Sequence, residues 1–328
     1  MPNDIKVRVE KAIAEKVFPG CVLGIVRKNG EREIFPFGRF TYEPNSPAVR
    51  EDTIYDMASV TKSIPVASLA LTLIGEGRMR ATDTVVKYLP ELKNDYGATV
   101  EDLLTYRVKG TRLSTLHDKT PDEVLNIVFK NGFDGPPEKP EYTNLPAFLL
   151  GLVVERWFDD SLVNIAEGYF FMPLRMMDTN FFPPDISRIV PTEVVDGVEI
   201  RGIVHDESAR VFARAHRAVG HAGLFSTAPD ILNFLESLLQ GKYQNIVEGA
   251  RRGLGWQLNQ QWFMGKHSGE HTFGKTGFTG TSVVCDIERG IAFVILSNRT
   301  YPKRPPDAAS IPSAINPFRA DIADILMH

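Results

Sequence analysis

The sequence predicts an α/β fold: an antiparallel β-sheet flanked by N- and C-terminal helices and interrupted by an inserted all-helical domain. Three observations support this prediction. Strand patterns joined by tight turns occur near both ends of the chain, helical patterns fill the middle, and 328 residues with 43% hydrophobic side chains suffice for two domains. We therefore expect a discontinuous sheet domain, residues 1–78 and 253–328, and a helical domain, residues 79–252.

The first element has the pattern of an amphipathic helix that begins at Asn3 or Asp4 and runs to Pro19-Gly20. Its apolar residues recur at steps of four, which places them on one face: Ile5, Val9, Ile13 and Val17. We expect this face to pack on the sheet.

The sheet is predicted from two hairpins at opposite ends of the chain. The first joins residues 21–27 and 31–37 through Asn29-Gly30, a strong hairpin signal. The second joins residues 281–287 and 291–297 through Glu288-Arg289-Gly290, and a last helix is expected over 318–327.

The middle of the chain carries helix start signals. Thr99 to Asp102 and Thr120 to Glu123 both fit a capping box. Residues 145–158 and 229–239 have helical patterns, whereas the prolines of 134–141 indicate a loop.

Composition excludes several classes of protein. With 37 Lys+Arg against 41 Asp+Glu, the net charge of −4 gives no general attraction to nucleic acid. The longest apolar stretch, residues 64–74, is about half of a bilayer-spanning helix, so we expect no membrane span. As given, the chain shows no signal peptide, which favours the cytoplasm, or the periplasm or secretion if a leader was removed. Cys21 and Cys285 are expected as buried free thiols.

Ser59-Val60-Thr61-Lys62 is the first motif that could carry chemistry. Residues three apart share a helix face, so the Ser59 hydroxyl and the Lys62 amine can form a hydrogen bond. A serine becomes a nucleophile when a neighbouring base takes its proton. The apolar run that follows, residues 63–74, is expected to form a buried helix and would desolvate Lys62. Ser-x-x-Lys also occurs by chance in chains of this length.

Two further motifs follow. Tyr142-Thr143-Asn144 precedes a helix; near lysines, the Tyr142 phenol would become more acidic and serve as a general base. Alternatively, Tyr142 packs and Asn144 caps the helix. Lys275-Thr276-Gly277 precedes a strand, and an N–H near Phe278 could join that of Ser59 in binding an oxyanion.

These three motifs, in this order and at these separations, resemble the serine β-lactamase and penicillin-binding-protein superfamily. Tyr-x-Asn as the middle motif is most similar to class C β-lactamases and family VIII esterases. Further segments resemble the family, among them Gly253-Leu-Gly-Trp256 and His221-Ala-Gly-Leu-Phe-Ser-Thr227, so that the resemblance covers nearly the whole chain.

The resemblance implies a hydrolase of amides or esters that works through an acyl-enzyme on Ser59, without a metal or organic cofactor. Lys62 would be the proton partner and Tyr142 the general base, also for the deacylating water. The implied substrate-binding residues are Asn144, Lys275, Thr276, Gly277 and Phe278. β-Lactam, D-peptide and ester substrates all remain open.

The sequence also departs from the family. Many relatives have His-Thr-Ser-Gly after the Leu-Leu-Thr of residues 103–105, where this chain has Tyr106-Arg107-Val108-Lys109-Gly110. Lys275 stands where many esterase-like relatives have His or Trp, which favours a small, carboxylate-bearing substrate.

The sequence also allows other interpretations, of one further motif, of the function and of three single residues. Gly269 to Thr276 matches a nucleotide-binding P-loop, but no helix pattern follows it. A β-lactamase-like fold without catalysis, acting as a binding or scaffold protein, is the alternative function. His221 could line the cleft or be structural, and Lys303 and Arg304 could bind a substrate carboxylate or be surface charges.

Overall fold

A central six-stranded antiparallel sheet organises the computed structural model, which describes residues 3–304 and 314–328. Along the chain the strands are β1 (Gly20–Arg27), β2 (Arg32–Gly38), β3 (Tyr55–Asp56), β4 (Glu193–Val195), β5 (Val198–Ile200), β6 (Phe225–Ser226), β7 (Gln257–Leu258), β8 (Phe273–Thr276), β9 (Ser282–Asp286) and β10 (Ile291–Ser297).

The helices are also numbered in chain order. They are α1 (Asn3–Ala14), α2 (Ser68–Gly75), α3 (Val100–Leu104), α4 (Pro121–Asn131), α5 (Leu145–Phe158), α6 (Leu162–Ala166), α7 (Glu207–Ala213), α8 (Ala228–Leu239), α9 (Gln244–Ala250), α10 (Gln261–Met264) and α11 (Ile315–Met327). A 3₁₀ helix, Ala58–Lys62, lies between β3 and α2.

The two ends of the chain share the sheet, as predicted. Its strand order is β2-β1-β10-β9-β8-β7, and β1 pairs with β10 so that Cys21 faces Ser297. Both predicted hairpins are present. The α/β fold class is therefore confirmed, with helices covering an antiparallel sheet.

Each face of the sheet belongs to a different part of the core. On one face, α1 and α11 pack on Leu23 and Phe293 through apolar residues such as Val9 and Phe318. The other face packs on α8 and continues into the helices of the middle of the chain. Cys21 lies on the first face and Cys285 on the second; both are buried and free, as expected.

The N-terminal helix is shorter than predicted. It ends at Ala14, not at Pro19-Gly20, because Lys16 adopts a left-handed conformation (φ 57°). The Val17 N–H then bonds the Ala12 carbonyl, and the Lys16 N–H bonds that of Ile13. This is the hydrogen-bond pattern of a Schellman cap, with lysine in the position that glycine usually takes.

The apolar run after Ser59 is not one continuous helix, contrary to our expectation. Ile64 is extended (φ −114°, ψ 111°), and regular α-helix begins only at Ser68. The ring of Pro65 explains the break, because proline disfavours the helical conformation in the residue before it.

The middle of the chain is mainly helical and also contains the short β4–β5 ribbon and strand β6. Its helix α8 packs on the sheet. The division into residues 1–78 with 253–328, and 79–252, stays a prediction. The capping boxes of Thr99 and Thr120 are present, and α11 begins three residues earlier than predicted.

Ala58–Gly75 is, by length and composition alone, apolar enough to cross a membrane, with 18 residues at a mean hydropathy of 1.4. However, 83% of this segment is buried inside the protein. A buried core segment passes the same test, and here the segment forms part of the core beneath the candidate site.

Candidate active site

Ser59 lies in the first turn of the 3₁₀ helix Ala58–Lys62, after a strained residue. Ala58 has a positive φ of 47°, which costs a residue with a side chain about 1–3 kcal/mol. The Asp56 carboxylate stabilises this turn, since it accepts the Ala58 N–H at 2.8 Å and the His205 N–H at 2.7 Å. Such strain is typical of functional positions, and here the hydrogen bonds of Asp56 hold the strained backbone next to Ser59.

Lys62 is buried, and its ammonium group lies beside the Ser59 hydroxyl. Its Nζ is 2.8 Å from Ser59 Oγ and donates a second hydrogen bond to the His221 carbonyl at 2.6 Å. In a 3₁₀ helix, residues three apart eclipse each other, so the sequence spacing itself produces the contact. The His221 carbonyl then holds the amine in that orientation.

Tyr142 lies over both lysines of the site. Its ring centroid is 5.4 Å from Lys62 Nζ and 4.8 Å from Lys275 Nζ. About half of the side chain is exposed, yet its hydroxyl interacts with Ser59 and Lys62. Burial of the hydroxyl raises the pKa of Tyr142, but the charges of Lys62 and Lys275 outweigh it and lower that pKa. The phenol is thus a stronger acid than a free tyrosine.

Lys275, on β8, is buried next to two tyrosines. It donates to the Tyr106 hydroxyl at 3.1 Å, and the Tyr106 and Tyr142 rings pack at 5.2 Å. Burial, together with the charge of Lys62, lowers the pKa of Lys275 to about 8. Tyr106 did not emerge as a site residue from the sequence, where it marked only a departure from the family pattern.

Asn144 precedes α5 but does not cap it with its side chain. Its Nδ2 donates instead to Asp206 Oδ2 at 3.1 Å. The capping interpretation of Asn144 is therefore wrong. Asp206 is a residue that sequence reasoning missed, because it lies 62 positions away with no motif of its own.

Thr276, Gly277 and Phe278 extend from β8 into the wall of the site. The Gly277 N–H bonds the Thr281 carbonyl, and a methyl group added at Gly277 would lie 2.1 Å from Thr281 Oγ1 and 2.5 Å from the Met57 carbonyl. Only glycine fits so close to the backbone beside Ser59. Lys275-Thr276 leads through a turn to the antiparallel strand β9, and no helix follows as a P-loop requires.

These residues surround a cavity of about 530 Å³. Its lining contains most of the sequence-predicted residues and adds others: Ser59, Tyr142, Asn144, Asp206, Gln257, Trp262, Thr276, Gly277, Phe278, Arg299, Asn316 and Arg319. Lys62 and Lys275 lie beneath this surface, both buried.

Two arginines bring positive charge to the cavity wall. Buried Arg319 donates to the carbonyls of Gly277 and Thr281 at 3.1 and 2.7 Å, and Arg299 donates to the Phe278 carbonyl at 2.8 Å. Arg319 follows Ile315 by four residues and precedes Ile322 by three. A charged residue on the apolar stripe of a predicted helix is a signal that could have revealed it.

Two of the remaining candidates, His221 and Arg304, have structural partners. His221 is buried, with its Nε2 3.0 Å from Ser208 Oγ, and its carbonyl holds Lys62. Arg304 pairs with Glu193 at 2.6 Å and Glu207 at 2.7 Å. Neither Lys303 nor Arg304 is among the described residues that line the cavity. Among the described residues, no group of three or more His, Cys, Asp or Glu is arranged to hold a metal ion.

Comparisons with known proteins agree with this architecture. The Beta-lactamase family model matches residues 7–314. An N-acetylmuramyl-L-alanine amidase of Bacillus subtilis (strain 168) is 26% identical, over 89% of this chain and 80% of that protein.

Two solved structures share the fold. One is EstCE1, a hydrolase with promiscuous acyltransferase activity (TM-score 0.75, 19% identity, 99% of this chain and 98% of that one). The other is a β-lactamase/D-alanine carboxypeptidase from Pseudomonas syringae (TM-score 0.76, 18% identity, with the same coverage of both chains).

The family match and the relatives define the class of this protein as a serine hydrolase. The chain belongs to the Beta-lactamase family, whose model matches it over most of its length.

Proposed function

We propose that this protein hydrolyses an amide or ester of a small molecule through a covalent acyl-enzyme on Ser59. The observation that supports this most directly is the 2.8 Å contact between Lys62 Nζ and Ser59 Oγ. An ammonium group that donates to Ser59 Oγ stabilises the negative charge that develops on this oxygen when a base takes the serine proton. The proposed mechanism uses side chains, two backbone N–H groups and water, and includes no metal or organic cofactor.

Acylation begins when the Ser59 hydroxyl loses its proton to the Tyr142 phenolate, with Lys62 as the proton partner that donates a hydrogen bond to Ser59 Oγ. Tyr142 is suited to the role of base because the lysine charges lower its pKa. Ser59 Oγ attacks the substrate carbonyl carbon, and the N–H groups of Ser59 and Phe278 stabilise the oxyanion. The leaving group takes the proton from Tyr142 as its bond to the carbonyl breaks, which leaves the acyl group on Ser59.

Deacylation uses the same groups, with water as the nucleophile and Ser59 as the leaving group. Tyr142 takes a proton from a water molecule, which attacks the ester carbonyl on Ser59. The Ser59 oxygen recovers this proton from Tyr142 as it leaves, and the acid product dissociates. Lys275 assists throughout, since its charge favours the Tyr142 phenolate.

A carboxylate on the substrate fits the positive charge around the cavity. Lys275, Arg299 and Arg319 all lie at or beneath its wall, and Thr276 provides a hydroxyl there. We assign Asn144 to the substrate amide. β-Lactams, D-peptides and carboxylic esters all contain a bond of this reaction class, and those that carry a carboxylate match the cavity best. The names of an amidase, a carboxypeptidase and a hydrolase among the similar proteins fall within the same reaction class. The cytoplasmic location expected from the sequence as given stays a prediction.

A substrate panel tests the proposal. Nitrocefin, p-nitrophenyl acetate and butyrate, and a D-Ala-D-Ala peptide are incubated with the wild type and with Ser59→Ala. We expect hydrolysis of at least one compound by the wild type, reduced to background in Ser59→Ala. If the two proteins give equal rates, or if neither turns over any compound, the alternative of an inactive binding protein is favoured.

A further inference from the structure

Asp206 introduces negative charge into a cavity that is otherwise bordered by cations. Among the described residues that line this cavity, it is the acidic one, and 27% of its side chain is exposed. Arg299 and Arg319 lie in the same lining. The cavity therefore presents charges of both signs to a molecule bound at Ser59.

The carboxylate has room for a further hydrogen bond. Its Oδ1 accepts from Ser208 Oγ at 2.6 Å and from the Ala209 N–H at 2.9 Å. In the described part of the chain, Oδ2 accepts from Asn144 at 3.1 Å. A carboxylate oxygen accepts two hydrogen bonds, so Oδ2 has capacity for one from a ligand.

Asp206 is ionised at neutral pH. Burial alone would raise the pKa of this carboxyl, but hydrogen bonds from His221, Ser208 and the Ala209 N–H hold it well below its usual range. Burial lowers the pKa of His221, so the neighbouring ring does not cancel the charge.

We propose that Asp206 binds a protonated amine of the substrate, so that the enzyme prefers substrates that carry an ammonium group near the bond to be cleaved. The inference rests on the proposed function and narrows its substrate class. Asp206 contacts Asn144 directly, so the ammonium group lies beside the substrate atoms that Asn144 binds. If Asp206 only caps α7 and orients Asn144, the enzyme should hydrolyse charged and neutral substrates equally well.

Paired substrates distinguish these roles. We suggest p-nitrophenyl esters of glycine, 3-aminopropionate and 6-aminohexanoate, which place the amine at increasing distance, each beside its neutral N-acetyl twin. For at least one pair, the wild type should show a kcat/KM about tenfold higher for the amine, as one partly desolvated charge-assisted hydrogen bond gives. Subtraction of the Ser59→Ala rate removes spontaneous hydrolysis.

Asp206→Asn keeps a side chain that can cap a helix and removes the charge. We expect the amine-to-acetyl ratio to fall to near one in Asp206→Asn. Glu207→Gln removes the same charge from the next residue, which pairs with Arg304, and should leave the ratio unchanged. Two results would overturn the inference. In one, Asp206→Asn lowers kcat/KM equally for the amine and for its N-acetyl twin. In the other, the wild type hydrolyses the two members of every pair equally well.

The pH dependence of the wild-type ratio provides a test that needs no variant. The ratio of kcat/KM for the amine to kcat/KM for its N-acetyl twin should fall to near one as the substrate amine loses its proton. Titration of the enzyme's own groups changes both rates alike and therefore cancels in this ratio. A ratio that stays constant while the substrate amine loses its proton contradicts the inference. Hydrolysis of the twins by the wild type but not by Ser59→Ala would still support the proposed function, whereas no turnover of any twin counts against both.

Discussion

The Lys62 ammonium nitrogen lies 2.8 Å from the Ser59 hydroxyl oxygen and 2.6 Å from the His221 carbonyl oxygen. The second contact fixes the lysine, because a buried ammonium needs acceptors for its protons. The Lys62 amine is thus directed at Ser59 before any substrate arrives. Tyr142 lies above this pair, and the charges of Lys62 and Lys275 lower its pKa.

Tyr142→Phe should lower kcat/KM by about 10²–10⁴-fold, the usual effect of losing a general base. The fold should persist because the ring remains and half of the side chain is exposed. Rates on the best panel substrate and the melting temperature measure the two effects. Tyr96→Phe removes the hydroxyl of an exposed tyrosine outside the cavity lining and serves as control. Wild-type turnover in Tyr142→Phe would exclude Tyr142 from the mechanism.

The pH profile of kcat/KM should be bell-shaped. Activity rises with pH as Tyr142, whose pKa is lowered, becomes a phenolate. It falls through about pH 8 as Lys275 loses the proton that stabilises this phenolate and attracts the substrate carboxylate. Lys275→Gln should abolish the falling limb and move the rising limb to higher pH. An unchanged profile in Lys275→Gln, with Lys242→Gln as control, would show that Lys275 does not set the pKa of Tyr142.

Tyr106→Phe should move the alkaline limb of that profile to lower pH. The Tyr106 hydroxyl accepts a hydrogen bond from Lys275 at 3.1 Å, and losing an acceptor disfavours the charged amine. The Phe ring still packs on Tyr142, so a mere packing role predicts no shift. Tyr243→Phe, which removes a hydroxyl bonded to the Tyr169 carbonyl, is the matched control.

Gly151→Ala should destabilise the protein although alanine is the better helix former. A methyl group at Gly151 would lie 2.9 Å from Gly220 Cα, and overpacking costs about 1–3 kcal/mol against a gain of up to about 1 kcal/mol. We expect a lower melting temperature and lower activity, because Gly220 precedes the His221 carbonyl that holds Lys62. Gly168→Ala, with no atom within 4 Å of its added methyl group, should not lower the melting temperature. Equal melting temperatures in the two variants would contradict this.

Local sequence patterns predicted much of the fold and part of the site. The contact between Ser59 and Lys62 follows from their spacing on one helical turn, and the hairpin at Asn29-Gly30 from turn chemistry. The break at Ile64 had a local signal as well, since Pro65 stands in the sequence, but the apolar run obscured it.

Contacts between distant parts of the chain could not be predicted in this way. Lys275 and Tyr106 are 169 positions apart, and their hydrogen bond exists because β8 and the segment after α3 meet in the folded chain. Asp206 likewise reaches Asn144 across 62 positions. No periodicity or spacing encodes such pairs, and the resemblance to a family supplied roles only for residues within its motifs.

Intact-mass spectrometry after incubation with a fluorophosphonate and with a penicillin tests the central claim most directly. We expect one covalent adduct per chain on the wild type, mapped to the peptide that contains Ser59, and none on a folded Ser59→Ala variant. An unmodified wild type with both reagents, or an undiminished adduct on Ser59→Ala, would contradict it.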